Sequence, residues 1–182
     1  MDLYAEHGFD QTTVAEIAER AGLTERTFFR HFTDKREVLF AGSERLQELL
    51  IDSVAASSLS VGATAPFAGS SAVAAVAAAF EAAAADYFPP VEYSRQRQRV
   101  IDANPALQER ELAKLDRVAA ALASVLRERG VDDLPAALAA EVGVAAFKVA
   151  FTRWVTDPAD TALIEHVRDA FAGLDAVLPT GS

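Results

Sequence analysis

The 182-residue chain contains no cysteine. Disulfides, thiolate metal sites and a cysteine nucleophile are thereby excluded. Histidine is scarce as well: His7, His31 and His166 stand far apart in sequence, so no zinc site or other metal centre is expected. No apolar run approaches the roughly 20 residues that a membrane span needs. Met1-Asp2-Leu3-Tyr4 lacks the basic and apolar regions of a signal peptide. A cytoplasmic protein without membrane contact is expected. Positive charge is also short, with 17 Lys and Arg against 27 Asp and Glu and a net charge of −10. The first 50 residues share the deficit, at 6 against 10. Nucleic-acid binders usually carry a basic footprint, so any contact with DNA must rest on a local surface rather than on bulk charge.

What the chain has in excess is alanine, 39 residues, against only 9 glycines and 7 prolines. That bias favours helix almost everywhere, and no convincing strand pattern is found. The expected class is all-α, with about nine helices, three short ones followed by longer ones. Leu3 to His7 reads as a short helix stopped by Gly8. Thr13 caps a helix to about Ala21, and Glu16 completes a capping box. Thr24 caps a second, Glu25 to about Phe32, and Thr33-Asp34 starts a third that runs to about Ala56. Residues 57–71, rich in Ser and Gly, read as a mobile loop. Further helices are expected at about 72–87, 93–103, 105–129 (Asn104 as cap, Pro105 at the first helical position), 135–156 and 160–178.

The informative segment is Thr13 to His31 with Phe32. Val14, Ile17, Ala18 and Ala21 put apolar residues on one helix face. Ala18 is small, Gly22 follows, and Leu23 is placed to plug the corner, as a steep helix-turn-helix crossing requires. On a helical wheel of about 100° per residue, Arg26, Thr27 and Arg30 share one side. Phe28 and Phe32 fall on the opposite side, and Phe29 sits at the edge. An outward arginine pair suits guanine O6 and N7 in a major groove. Thr13 and Thr24, at helix N-termini, are placed to meet phosphates, and Lys35 is placed beside another. The plain alternative is a helical hairpin with a solvated arginine face.

GFDQTTVAEIAERAGLTERTFFRHFTDKREVLF closely resembles the N-terminal domain of TetR-type transcriptional repressors. The resemblance covers Leu3 to about Phe40 and implies a DNA-binding domain at 1–42 and an effector-binding and dimerisation domain at 43–182. It implies a homodimer on a palindromic double-stranded DNA operator, released by a small-molecule effector. By position it carries over Thr13, Thr24, Arg26, Thr27, Phe29, Arg30, His31 and Lys35 as DNA contacts. Many members have Tyr where Phe29 stands. Without the hydroxyl, Phe29 is left a thymine methyl to meet. The stretch QRQRVIDANPALQERELAKLDRVAAAL loosely resembles regulators of the mycofactocin system. The resemblance also implies a fuller first helix with a basic arm, so the N-terminus reads as truncated. Ile17, Phe28 and Phe32 are expected to be poorly covered as a result.

In the C-terminal half, Tyr87, Tyr93, Arg97, Phe147, Phe151 and Trp154 are the candidate pocket residues, although aromatics at helical spacing also serve simply as core. A stripe of small residues, Ala139, Gly143, Ala146 and Ala150, suggests close approach of a second helix. With the apolar face of 160–178, it is expected to build a four-helix dimer interface. Glu81, Asp86, Glu92 and His166 offer acid–base groups but no nucleophile-and-base spacing, so no enzyme and no cofactor is expected. The alternative function is a helical partner-binding module that has lost DNA binding.

Overall fold

The computed structural model describes residues 1–59 and 71–177. Nine α-helices and one 3-10 turn occur among them: α1 Asp2–His7, α2 Val14–Arg20, α3 Glu25–His31, the 3-10 turn Glu37–Phe40, α4 Ser43–Ala56, α5 Ser71–Asp86, α6 Val91–Asp102, α7 Pro105–Glu128, α8 Asp133–Thr156 and α9 Leu163–Val177. The all-α expectation holds. The expected loop lies mostly outside the described residues, as does Leu178.

Helices α4, α5, α7, α8 and α9 enclose the main core, with Leu50, Val76, Phe80, Leu122, Leu126 and Val167 fully buried. Alanines let these helices pack closely, and Gly143 marks the tightest point. A Cβ there would collide with Val76 Cγ1 and come into contact with Phe80. The small stripe Ala139, Gly143, Ala146 and Ala150 is therefore buried inside the protomer. It cannot be the dimer surface expected from the sequence. Helix α8 also corrects the expectation about apolar runs, since Asp133–Thr156 is long and apolar enough to cross a membrane. Its inner face explains that composition: nine of its residues are buried in the core.

A second, smaller cluster joins the two halves of the chain. Tyr4, Leu39 and Phe40 pack with Ile101 of α6 and Leu107 of α7. The Tyr4 hydroxyl donates to the Lys35 carbonyl at 2.8 Å, and burial pushes its pKa up to about 12.

Three local expectations need correction. No single helix runs from Asp34 to Ala56. Asp34 Oδ1 accepts from the backbone N–H of Arg36 (2.8 Å) and Glu37 (3.2 Å) and so starts only the 3-10 turn. The chain then breaks at Gly42, whose φ of +89° suits glycine and whose missing Cβ leaves room for the Tyr87 hydroxyl. Asn104 occupies the N-cap of α7 and Pro105 its first position, as expected, but the Asn104 side chain makes no cap hydrogen bond and its Nδ2 donates to Val100 O instead. Leu23 does not plug the corner either. It is 44% exposed, and only its backbone N–H closes the turn, on Ala18 O at 2.8 Å.

Candidate DNA-binding surface and ligand cavity

The capping box predicted for α2 is complete: Thr13 Oγ1 accepts from Glu16 N–H, and Glu16 Oε2 accepts from Thr13 N–H at 2.7 Å. The Thr13 N–H and, after it, the Thr13 hydroxyl, which donates to Glu16 Oε2 at 2.9 Å, hold the Glu16 carboxyl below its ordinary pKa range. In the turn that follows, Gly22 has a φ of +68°. Ala18 is buried beneath it, where α2 meets α3. Thr24 Oγ1 accepts from Thr27 N–H at 3.2 Å and fixes the start of α3.

Helix α3 then sorts its side chains as the wheel requires. Phe28 is buried and touches both Phe29 and Phe32, at ring centroid distances of 5.5 and 5.2 Å. Phe28 is thus well covered, against expectation, while Ile17 and Phe32 are half-buried. Arg26, Phe29 and Arg30 are exposed, and Thr27 is half-exposed. Arg30 Nη2 lies 3.4 Å from His31 Nε2, and Arg26 has no partner among the described residues. The result is an arc of α3 with two outward arginines flanked by an aromatic that is 54% exposed.

Lys35 is engaged within the protein. Its Nζ donates to three carbonyls, Phe9 O (2.7 Å), Asp10 O (3.0 Å) and Thr12 O (3.0 Å), and sits 4.6 Å from the centre of the Phe9 ring. An ammonium has three donors, so none is left for a phosphate. Lys35 pins the loop between α1 and α2.

The C-terminal half holds a cavity of about 230 Å³. Phe88, Phe147, Phe151, Leu115 and Val118 give it an apolar wall. Of the residues proposed from sequence, Tyr87, Tyr93, Arg97, Phe147 and Phe151 line it. Trp154 does not. It is buried behind the wall, 5.5 Å from Phe151 and 6.3 Å from Phe88 between ring centroids.

Sequence reasoning missed Glu111, Lys114, Ser43 and Phe40, which also line the cavity. A signal existed for two of them. Glu111 and Lys114 interrupt the face of α7 that carries Leu107, Leu115 and Val118, and charge on an apolar face is unusual. Phe40 and Ser43 are brought in only by the break at Gly42.

The cavity abuts the connection to the N-terminal helices. The Tyr87 hydroxyl donates to Gly42 O at 2.5 Å. Arg97 Nε donates to Leu39 O at 2.7 Å, and Nη1 to Glu111 Oε1 at 3.1 Å. Lys114 Nζ donates to Ser43 Oγ at 3.0 Å and to Glu37 Oε2 at 3.4 Å, and Arg110 also pairs with Glu37. The acid–base residues noted in the sequence are not brought together. Glu81 pairs with Arg168, Glu92 with Arg95, and His166 is buried against Asp157.

Residues 1–41 match the family model described as "Bacterial regulatory proteins, tetR family", and residues 70–179 match that of the MftR C-terminal domain. The HTH-type transcriptional regulator TcmR of Streptomyces glaucescens is 37% identical over 51 residues, 28% of this chain but only 23% of that regulator. The structure resembles Thermus thermophilus FadR, a TetR-family transcriptional repressor solved with lauroyl-CoA. The TM-score is 0.53 at 20% identity, over 100% of this chain and 93% of that one. The TetR-family regulator PfmR, also from Thermus thermophilus, gives 0.45 at 20% identity, over 95% and 92% of the two chains. Both resemblances read from the sequence are borne out. The second family model alone spans more than half of the chain, which belongs to the TetR family of bacterial regulatory proteins with a C-terminal domain of the MftR type.

Proposed function

We propose that this TetR-family regulator is a cytoplasmic, ligand-responsive repressor. It binds a palindromic operator as a homodimer and releases it when a small molecule fills the cavity beside Phe40. The observation that carries the reading is the arrangement of α3. Phe28 is buried, which orients Arg26 and Arg30 outward, where bidentate contacts to guanine are available. Thr27, Phe29 and His31 complete the groove-facing surface, and Thr13 and Thr24 lie at the helix N-termini where phosphates are met. Lys35 is assigned a bracing role instead of a phosphate contact. No catalytic chemistry is assigned to the chain.

The proposed dimer uses a different face of α8 from the small-residue stripe. Leu134, Leu138 and Val149 are 67%, 44% and 55% exposed on the outer side of that helix. Ala172, Gly173 and Ala176 are exposed on α9, where a Cβ added at Gly173 would meet nothing within 4 Å. Together these faces would give a four-helix contact.

The test is operator selection from random DNA with the purified protein. Arg26→Ala and Arg30→Ala should each weaken binding to the selected site by about 1–3 kcal/mol and relax one base position. If both variants bind that site like wild type, the surface assigned to α3 is wrong.

A further inference from the structure

We propose that the effector is a compact amphipathic carboxylate, whose anionic head binds between Arg97 and Lys114. This rests on the reading of the cavity as the effector site. The chain carries a net charge of −10, yet the cavity is lined by three cations, Arg97, Lys114 and Lys148, and one carboxylate, Glu111. Arg97 and Lys114 converge on a single ring. Arg97 Cζ is 5.1 Å and Lys114 Nζ 5.5 Å from the centre of Phe40.

Neither cation is saturated. Nη2 of Arg97 has no partner among the described residues, and Lys114 uses two of its three donors, one of them at 3.4 Å. The Lys114 carboxylate partner, Glu37, is shared with Arg110. Both side chains are largely shielded, 21% and 15% exposed, so a charge-assisted hydrogen bond formed there is little weakened by solvent.

The aromatic wall of Phe88, Phe147 and Phe151, with Lys148 and Thr152 beside it on α8, suits a hydrocarbon or aromatic tail. At about 230 Å³ the cavity is smaller than the roughly 300–1,000 Å³ of sites for drug-sized ligands. A short acid fits that size, and a bulky conjugate would extend outside.

The same two cations also hold the 3-10 turn that follows α3, through Leu39 O and Glu37, and the start of α4, through Ser43. A ligand carboxylate takes the free Nη2 of Arg97 and the third donor of Lys114, and in drawing both cations toward itself it weakens the bonds they already make. Binding of the anion therefore loosens the ties that set the position of α1–α3. A neutral tail of the same shape fills the wall and leaves the ties intact.

The chain has one tryptophan, Trp154, against the cavity residues Phe88 and Phe151. Its fluorescence reports on occupancy, with octanoate and octanamide as a charged and neutral pair. Octanoate should give a saturable change and bind at least about tenfold more tightly than octanamide. It should also release the selected operator at concentrations where octanamide does not. Lys114→Met should lose most of the preference, read as the ratio of the two affinities. The proposal is overturned if octanamide binds as tightly as octanoate to wild type. It is equally overturned if octanoate gives no saturable response, or if both Lys114→Met and Arg97→Gln keep the full preference. Operator binding by the ligand-free protein is measured alongside. A protein that binds its operator but does not discriminate between the probes sinks only the carboxylate. One that discriminates but binds no DNA sinks the repressor reading instead.

Discussion

Lys35 separates two accounts of the N-terminal domain, and Lys35→Met tests them. Methionine keeps an unbranched apolar stem over Phe9 and removes the ammonium. Three hydrogen bonds disappear. The one to Asp10 O is exposed, and water replaces it at little cost. Those to Phe9 O and Thr12 O are partly buried, and each contributes about 1 kcal/mol net. The expected loss is about 2 kcal/mol. For a chain of this size that lowers Tm by about 4–8 °C. Operator affinity measured from low to high salt supplies the second readout. Removing a lysine that neutralises a phosphate would reduce the salt slope by about one. Removing a brace leaves the slope unchanged below the new Tm. A variant that melts like wild type but shows the reduced slope would refute the bracing role.

Other substitutions probe the rest of the structure. Gly143→Val should overpack the contact with Val76 and Phe80, costing about 1–3 kcal/mol in thermal or urea unfolding without changing the sedimentation of the folded fraction. Leu138→Glu combined with Val149→Glu should give a monomer by sedimentation while the helical core melts nearly as before, because both side chains are exposed. The folded pKa of Tyr4, about 12 against an ordinary 10, lies above the unfolded one. Its contribution is therefore intact below pH 10 and is lost as pH rises towards 12. Alkaline unfolding should show this step, and Tyr4→Phe should remove it. Asp157 behaves in the opposite sense. The Thr161 hydroxyl, followed by the Ala159 N–H, holds its pKa at about 2, so its contribution fades as pH falls from about 4 to 2.

Much of this architecture was legible in the sequence because local rules governed it. Thr13 with Glu16, Thr24 before Thr27, and Gly22 after a small Ala18 each act within a few residues, and periodicity then placed Phe28 inside and Arg26 outside. What the sequence could not show depended on distant partners. The small stripe on α8 is as compatible with a second subunit as with α5. Only the position of Val76 beneath Gly143 decides between them. Lys35 follows the recognition helix as a phosphate ligand would, but the carbonyls that claim it lie more than twenty residues earlier. The cavity was half visible: its aromatics stood out by type, whereas Glu111 and Lys114 showed only as charges interrupting the apolar face of α7.

The small cluster of Tyr4, Leu39, Phe40, Ile101 and Leu107 has a consequence for building hybrid regulators. The helices that read DNA do not own all the apolar surface they rest on, since two of its five buried members belong to α6 and α7. A graft made at Gly42 would strip Tyr4, Leu39 and Phe40 of that bedding and expose them to water. A transplant that keeps its grip on DNA must carry Ile101 and Leu107, or their equals in shape, along with the reading head. On the proposed reading, operator choice and effector choice are inherited together, and the seam between them runs through a shared patch of side chains rather than along the backbone.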